Sequence, residues 1–179
     1  GSEMCIRDRY LATQFINSVA VGIYHTSSSN EVEWVAGNSE SKIIFVGNNP
    51  NDNQENDKMP INRLLKALPK LNNVELVVTL PEVTSSGNSK IISWDKFIEN
   101  GKSIESSKIL DLPNKIKDEH TSSLIYTSGT TGIPKGVVLN YKAAATATKN
   151  LHLLFPLNEN DRFISCLLYT SDAADEITG

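Results

Sequence analysis

The stretch YTSGTTGIPKG, Tyr126 to Gly136, leaves the chain little choice of fold around it. It follows directly on SSLIYTS (122–128), which reads as a strand, so the backbone must turn sharply at a strand end. Thr127, Ser128, Thr130 and Thr131 crowd that turn with hydroxyls, Gly129 and Gly132 can take positive φ without steric cost, and Lys135 adds an ammonium. Hydroxyls and backbone N–H groups donate to phosphate oxygens. A lysine supplies a movable point charge suited to a departing phosphate. The composition therefore points to a polyphosphate, and Pro134, with its fixed φ, limits how far the lysine's backbone wanders. A Walker loop is excluded, because that pattern sets lysine directly after glycine and a hydroxyl next, whereas Ile133 and Pro134 precede Lys135 here and Gly136 follows it. The plain alternative is a Ser/Gly/Thr turn with no ligand; the strand running into the loop favours the phosphate reading.

Upstream, strand and helix patterns alternate. VAVGIYHT (19–26), SKIIFVGN (41–48) and VELVVTL (74–80) are short β-branched, apolar runs that predict buried strands. Between the first two, SSNEVEWVAGNSE predicts a helix capped by Ser29 or Asn30, with Glu31 at its positive end and Val32 and Val35 facing a sheet. INRLLKALPKL (61–71) sets Ile61, Leu64, Leu65 and Leu68 at helical spacing. A short amphipathic piece falls at WDKFIENG (94–101), and after the loop GVVLNYKAAATATKNLHLLF predicts one more strand and a helix from about Asn140. Strands separated by helices define an α/β fold with a mainly parallel sheet and flanking helices.

The two ends read differently. CLLYTSDAADE (166–176) shares Tyr-Thr-Ser with the loop but has none of its glycines and no lysine, so it is not a second copy. Written back into codons, this stretch and GSEMCIRDR at the start both resemble the end sequences of a transposon-based sequencing adapter. Residues 1–9 and 166–179 are accordingly expected to be non-native and residues 10–165 a partial domain from inside a longer gene. Both cysteines, Cys5 and Cys166, fall in those ends, which leaves no thiol metal site or disulfide framework between them. Setting the ends aside takes Lys+Arg from 17 to 15 and Asp+Glu from 21 to 16. A net charge near zero gives no reason to expect nucleic acid as a partner. No apolar run approaches the roughly 18 residues that would span a bilayer.

YTSGTTGIPKGVVL resembles the signature of the AMP-binding, adenylate-forming superfamily. VGIYHTSSSNEVEWVAGNSESKIIFVGN is similar to the segment of long-chain fatty acyl-CoA synthetases in which a Y-x-T-S turn opens a helix, and NDRFISCL is similar to the approach to a further strand. The resemblance implies part of the large N-terminal domain of such an enzyme. The parent would activate a fatty acid in two steps: its carboxylate attacks the α-phosphate of ATP with Mg2+ assistance, and coenzyme A then captures the acyl-adenylate. By the same resemblance, Thr127, Ser128, Gly129, Thr130, Thr131, Gly132 and Lys135 hold the β- and γ-phosphates. No metal ligand and no catalytic acid or base is expected within 10–165, since the family's other motifs would lie further on; the segment alone is expected to be inactive. A cytoplasmic protein is implied, with peripheral membrane association left open. Two alternatives stand beside this reading: an adenylation enzyme for an aryl or amino acid, and a non-catalytic nucleotide-binding module.

Other residues carry less. His25, His120 and His152 lack metal-ligand spacing. The Asn-rich loop at 48–57 lacks the calcium-loop pattern. Trp34 and Trp94 are expected in core or subdomain packing rather than in an acyl pocket.

Overall fold

The computed structural model describes residues 2–47, 59–83, 87–127, 132–155 and 158, with the side chains of 2–6 left aside. The helices are α1 (Ser2–Phe15), α2 (Ser29–Asn38), α3 (Pro60–Ala67), α4 (Trp94–Gly101), α5 (Ser106–Leu110) and α6 (Tyr141–Leu154). The strands are β1 (Ala20–Val21), β2 (Ile43–Val46), β3 (Leu76–Thr79), β4 (Ile91–Ser93), β5 (Thr121–Thr127) and β6 (Lys135–Asn140). The Asn-rich loop and the tail 166–179 lie outside the described residues, and α1 crosses the expected boundary between residues 9 and 10. Two units are distinguished, 1–143 and 144–179; α6 belongs mostly to the second and is an alanine-rich helix in its own right.

The first unit holds two three-stranded sheets in place of a single sheet. One has the order β2-β3-β4 and is parallel throughout, with Ile43 opposite Leu76 and Val77 opposite Ile91. The other has the order β1-β5-β6: β1 pairs with β5 in parallel, and β5 pairs with β6 as an antiparallel hairpin. Parallel neighbours need crossovers: α3 lies in the one from β2 to β3, the one from β3 to β4 has no helix among the described residues, and the long connection from β1 to β5 contains α2 to α5. The expected α/β class holds, and the antiparallel pair is confined to the strands that flank the glycine-rich loop.

The core lies where α2 and α3 cover the β2-β3-β4 sheet. Val32 and Ala36 of α2, Ile61 and Leu64 of α3, and Leu71, Val74 and Val77 form one buried cluster. Val77 and Val78 are wholly enclosed, as expected of a parallel strand covered on both faces. Each such side chain contributes about 1.5–3 kcal/mol over its exposed state. Leu65, expected on the buried face, is exposed instead, and Ala67 is buried in the core. The prolines account for the ends of α3: Pro60 opens the helix, and Pro69 sits in the 3-10 turn Leu68–Lys70 that closes it.

Two further expectations are revised. The cap of α2 is Ser28, one residue before those foreseen: its hydroxyl accepts from Glu31 N at 3.3 Å, and Ser28 N donates to Glu31 Oε2 at 2.6 Å. Only a three-residue offset lets both halves of that capping box close, so Glu31 selects Ser28. The run 19–26 pairs as a strand only at Ala20 and Val21. Gly22 weakens the ladder there, and Ser27 N closes a turn on Tyr24 O at 3.0 Å.

Candidate functional site

The glycine-rich loop is closed at its base by the β5–β6 hairpin. Thr127 and Lys135 stand directly opposite each other as the last cross-strand pair, so their side chains share one face of the ribbon. Ile125 and Val137, also paired, continue that face, and all four residues are exposed. Lys135 has no ion pair or hydrogen bond among the described residues, and its ammonium is available to an anion. Gly132 adopts φ 79°, in the left-handed region foreseen for it. Of the predicted phosphate ligands, Thr127 and Lys135 are thus brought together at the loop base and Gly132 lies three residues before Lys135; Ser128, Gly129, Thr130 and Thr131 lie outside the described residues.

On the opposite face of the hairpin Tyr126 is packed, while Val138 further along that face is exposed. Tyr126, only 6% exposed, lies across Gly136: a Cβ at residue 136 would stand 3.1 Å from Tyr126 Cζ, closer than side chains ordinarily approach. Gly136 is there to admit the ring. The Tyr126 hydroxyl donates to Asn38 Oδ1 at 2.6 Å, and burial lifts its pKa above the ordinary phenol value, so the donor stays protonated across the neutral range. Trp34 departs from the core role expected of it. Its indole is 43% exposed, and Nε1–H donates to the carbonyl of Pro134 at 2.9 Å. Trp94, by contrast, does pack, with its ring centroid 6.3 Å from that of Phe45 and 6.1 Å from that of Phe97.

Trp34 and Asn38 are the residues that reading the sequence missed as part of this region. The only signal was their spacing: four apart, they share one face of α2. The helix that presents them is fixed at both ends. The capping box holds its start, while Asn73 Nδ2 donates to Ala36 O at 3.0 Å and to Ser41 O at 2.7 Å around its end. Lys70 pairs with Glu33 at 2.8 Å on the same side, beside a groove of about 460 Å3 that Trp34 and Asn38 also line.

Chemically, the arrangement offers a cation and hydroxyl on an open face, backed by an immobilised aromatic residue. It can hold an anion and stabilise negative charge. The Mg2+ that the sequence resemblance implies finds no ligand set here: no three His, Cys, Asp or Glu side chains converge among the described residues. No described helix is long and apolar enough to cross a membrane.

Parallel strands joined by helices and ending in this hairpin are the architecture of part of the large domain of adenylate-forming enzymes. Acetoacetyl-CoA synthetase from Streptomyces lividans superposes over 87% of this chain and 23% of its own at a TM-score of 0.64 and 17% identity. The anthranilate CoA ligase AuaEII, solved with anthranoyl-AMP, does so over 79% and 23% at a TM-score of 0.52 and 21% identity. The chain belongs to the AMP-binding enzyme family, whose sequence model matches residues 9–174. Among curated proteins it is 30% identical to the long-chain-fatty-acid–CoA ligase ACSBG2 of Xenopus laevis over 91% of this chain and 21% of that protein. It is 31% identical to long chain acyl-CoA synthetase 4 of Arabidopsis thaliana over 78% of this chain and 20% of that protein. The chain therefore spans about a fifth of the length of these relatives.

Proposed function

We propose that this chain is part of an ATP-dependent ligase that joins a long-chain fatty acid to coenzyme A, and that its glycine-rich hairpin holds the β- and γ-phosphates of ATP. The observation that carries the reading is the Thr127–Lys135 pair, set opposite each other at the open mouth of a loop rich in hydroxyls and glycine. Relatives named as long-chain-fatty-acid–CoA ligases support the choice of acid.

In the first step a carboxylate oxygen of the acid bonds to the α-phosphorus of ATP, and the bridging P–O bond to the β-phosphate breaks. Pyrophosphate leaves with the bonding pair. Charge accumulates on that leaving group, and Lys135, the Thr127 hydroxyl and the hydroxyls and amides of 128–132 are the groups proposed to stabilise it. Divalent magnesium, when bound, would share in that charge neutralisation; no described residue is assigned to hold it. In the second step the thiol of coenzyme A gives up its proton to solvent, its sulfur bonds to the acyl carbonyl carbon, and the C–O bond to AMP breaks, AMP leaving with the bonding pair. Nothing in the hairpin acts as acid or base; its contribution is positioning and electrostatic.

The test is fatty-acid-dependent release of AMP and pyrophosphate by the full-length protein that carries this chain. Release with long-chain acids is the expected result; turnover with aryl or amino acids alone would overturn the assignment of substrate. The 179-residue chain by itself is expected to bind ATP weakly and to form no acyl-CoA.

A further inference from the structure

Helix α2 reaches the loop at both of its ends. On one side Tyr126, the last buried residue of β5, bonds to Asn38; on the other Pro134, the residue before β6, bonds through its carbonyl to Trp34. The β5–β6 ladder begins at the Thr127–Lys135 pair, so the Pro134 carbonyl lies beyond its end and takes its partner from the helix. Trp34 and Asn38 are one helical turn apart, and their helix is seated in the β2-β3-β4 core through Val32 and Ala36. Neither Trp34 nor Asn38 is itself buried, so packing does not explain where they point.

We infer that α2 is a two-point tether for the loop, with Trp34 and Asn38 as positioning residues. They fix the points where the loop leaves β5 and enters β6, and thereby keep Thr127 and Lys135 facing each other before any ligand arrives. The role for ligand binding rests on the polyphosphate reading above; the tether itself does not. Because α2 is rooted in the other sheet, it also ties the loop's geometry to that sheet's packing. An exchange of ligand-contacting side chains would leave the tether intact, whereas loss of one hydroxyl or one indole N–H would slacken it.

Hydrogen exchange measured by mass spectrometry on the 179-residue chain tests this directly. Trp34→Phe removes the N–H and keeps a ring; Tyr126→Phe removes a single oxygen and keeps the ring over Gly136. Each is expected to raise exchange of peptides covering 127–136 about fivefold, the equivalent of one ordinary hydrogen bond, with the 74–80 core peptide unchanged. Asn38→Ala added to Tyr126→Phe should do nothing more than either change alone, since both break the same bond. Loop exchange that is unaltered in both single variants overturns the tether. In the full-length protein the same variants should raise KM for ATP several-fold and leave KM for the acid as it was. Faster loop exchange with unchanged KM for ATP would keep the tether and remove the polyphosphate reading instead.

Discussion

Lys135 and Gly136 are neighbours with opposite duties. Lys135 turns outward, unpaired among the described residues, and Gly136 turns inward to leave space for Tyr126. Truncation at the first should cost binding without cost to the fold: Lys135→Ala is expected to weaken ATP affinity at least about tenfold, as for a lost charge-assisted hydrogen bond. Titration calorimetry against the parent chain checks this, and equal affinities would take Lys135 out of the site. A methyl group at the second position should do the reverse. Gly136→Ala presses a Cβ to 3.1 Å from the Tyr126 ring, and overpacking of that kind costs about 1–3 kcal/mol. The expected result is a thermal midpoint lower by roughly 2–12 °C. Tyr126 and Gly136 also show that part of the loop motif serves packing, since the ring of one fills the space that the other leaves.

At the scale of elements, α2 connects core and loop. Ser28→Ala opens the capping box and should cost about 1 kcal/mol, seen as a lower urea midpoint with unchanged slope. The helix, its two valines and its Glu31 were legible in the sequence, because an amphipathic period and a capping residue are local signals. So were α3, β3 and the strand entering the loop. Other features were not. Ser28 is not singled out from its neighbours Ser29 and Asn30, whose side-chain oxygens can also accept a capping N–H, and only the Glu31 offset separates them. β4 is three residues long, too short for a period, and exists because β3 offers it an edge. Trp34 could not be placed, since its partner is 100 residues away and an exposed indole at a helix surface carries no mark of what it will bond. The loop residues stand out in the sequence as a set, because their chemistry is concentrated in one turn; the bonds from α2 to the hairpin do not, because tertiary partners leave no periodic trace.

In the first unit, exposed apolar residues lie beside the edges of one sheet. Ile125 and Val137 face each other on the exposed side of the hairpin, each 47% exposed, and β1 and β6 are edge strands of their sheet among the described residues. Exposed apolar pairs beside open edges favour self-association. The 179-residue chain should therefore sediment as a concentration-dependent mixture, and Val137→Lys should shift it toward monomer with the same circular dichroism. A purely monomeric parent at high concentration would refute this.

The parallel pairing of β1 with β5 also has an order in time. A ribosome making about 5–20 residues per second completes α2 about 5–20 s before Thr127 emerges. In that interval α2, β2, α3 and β3 have all the residues of their shared core, and the hairpin that follows needs only microseconds to close. The loop thus forms after that core and has little to search for: its two anchor points are already waiting, one turn apart, on a surface built before it was translated.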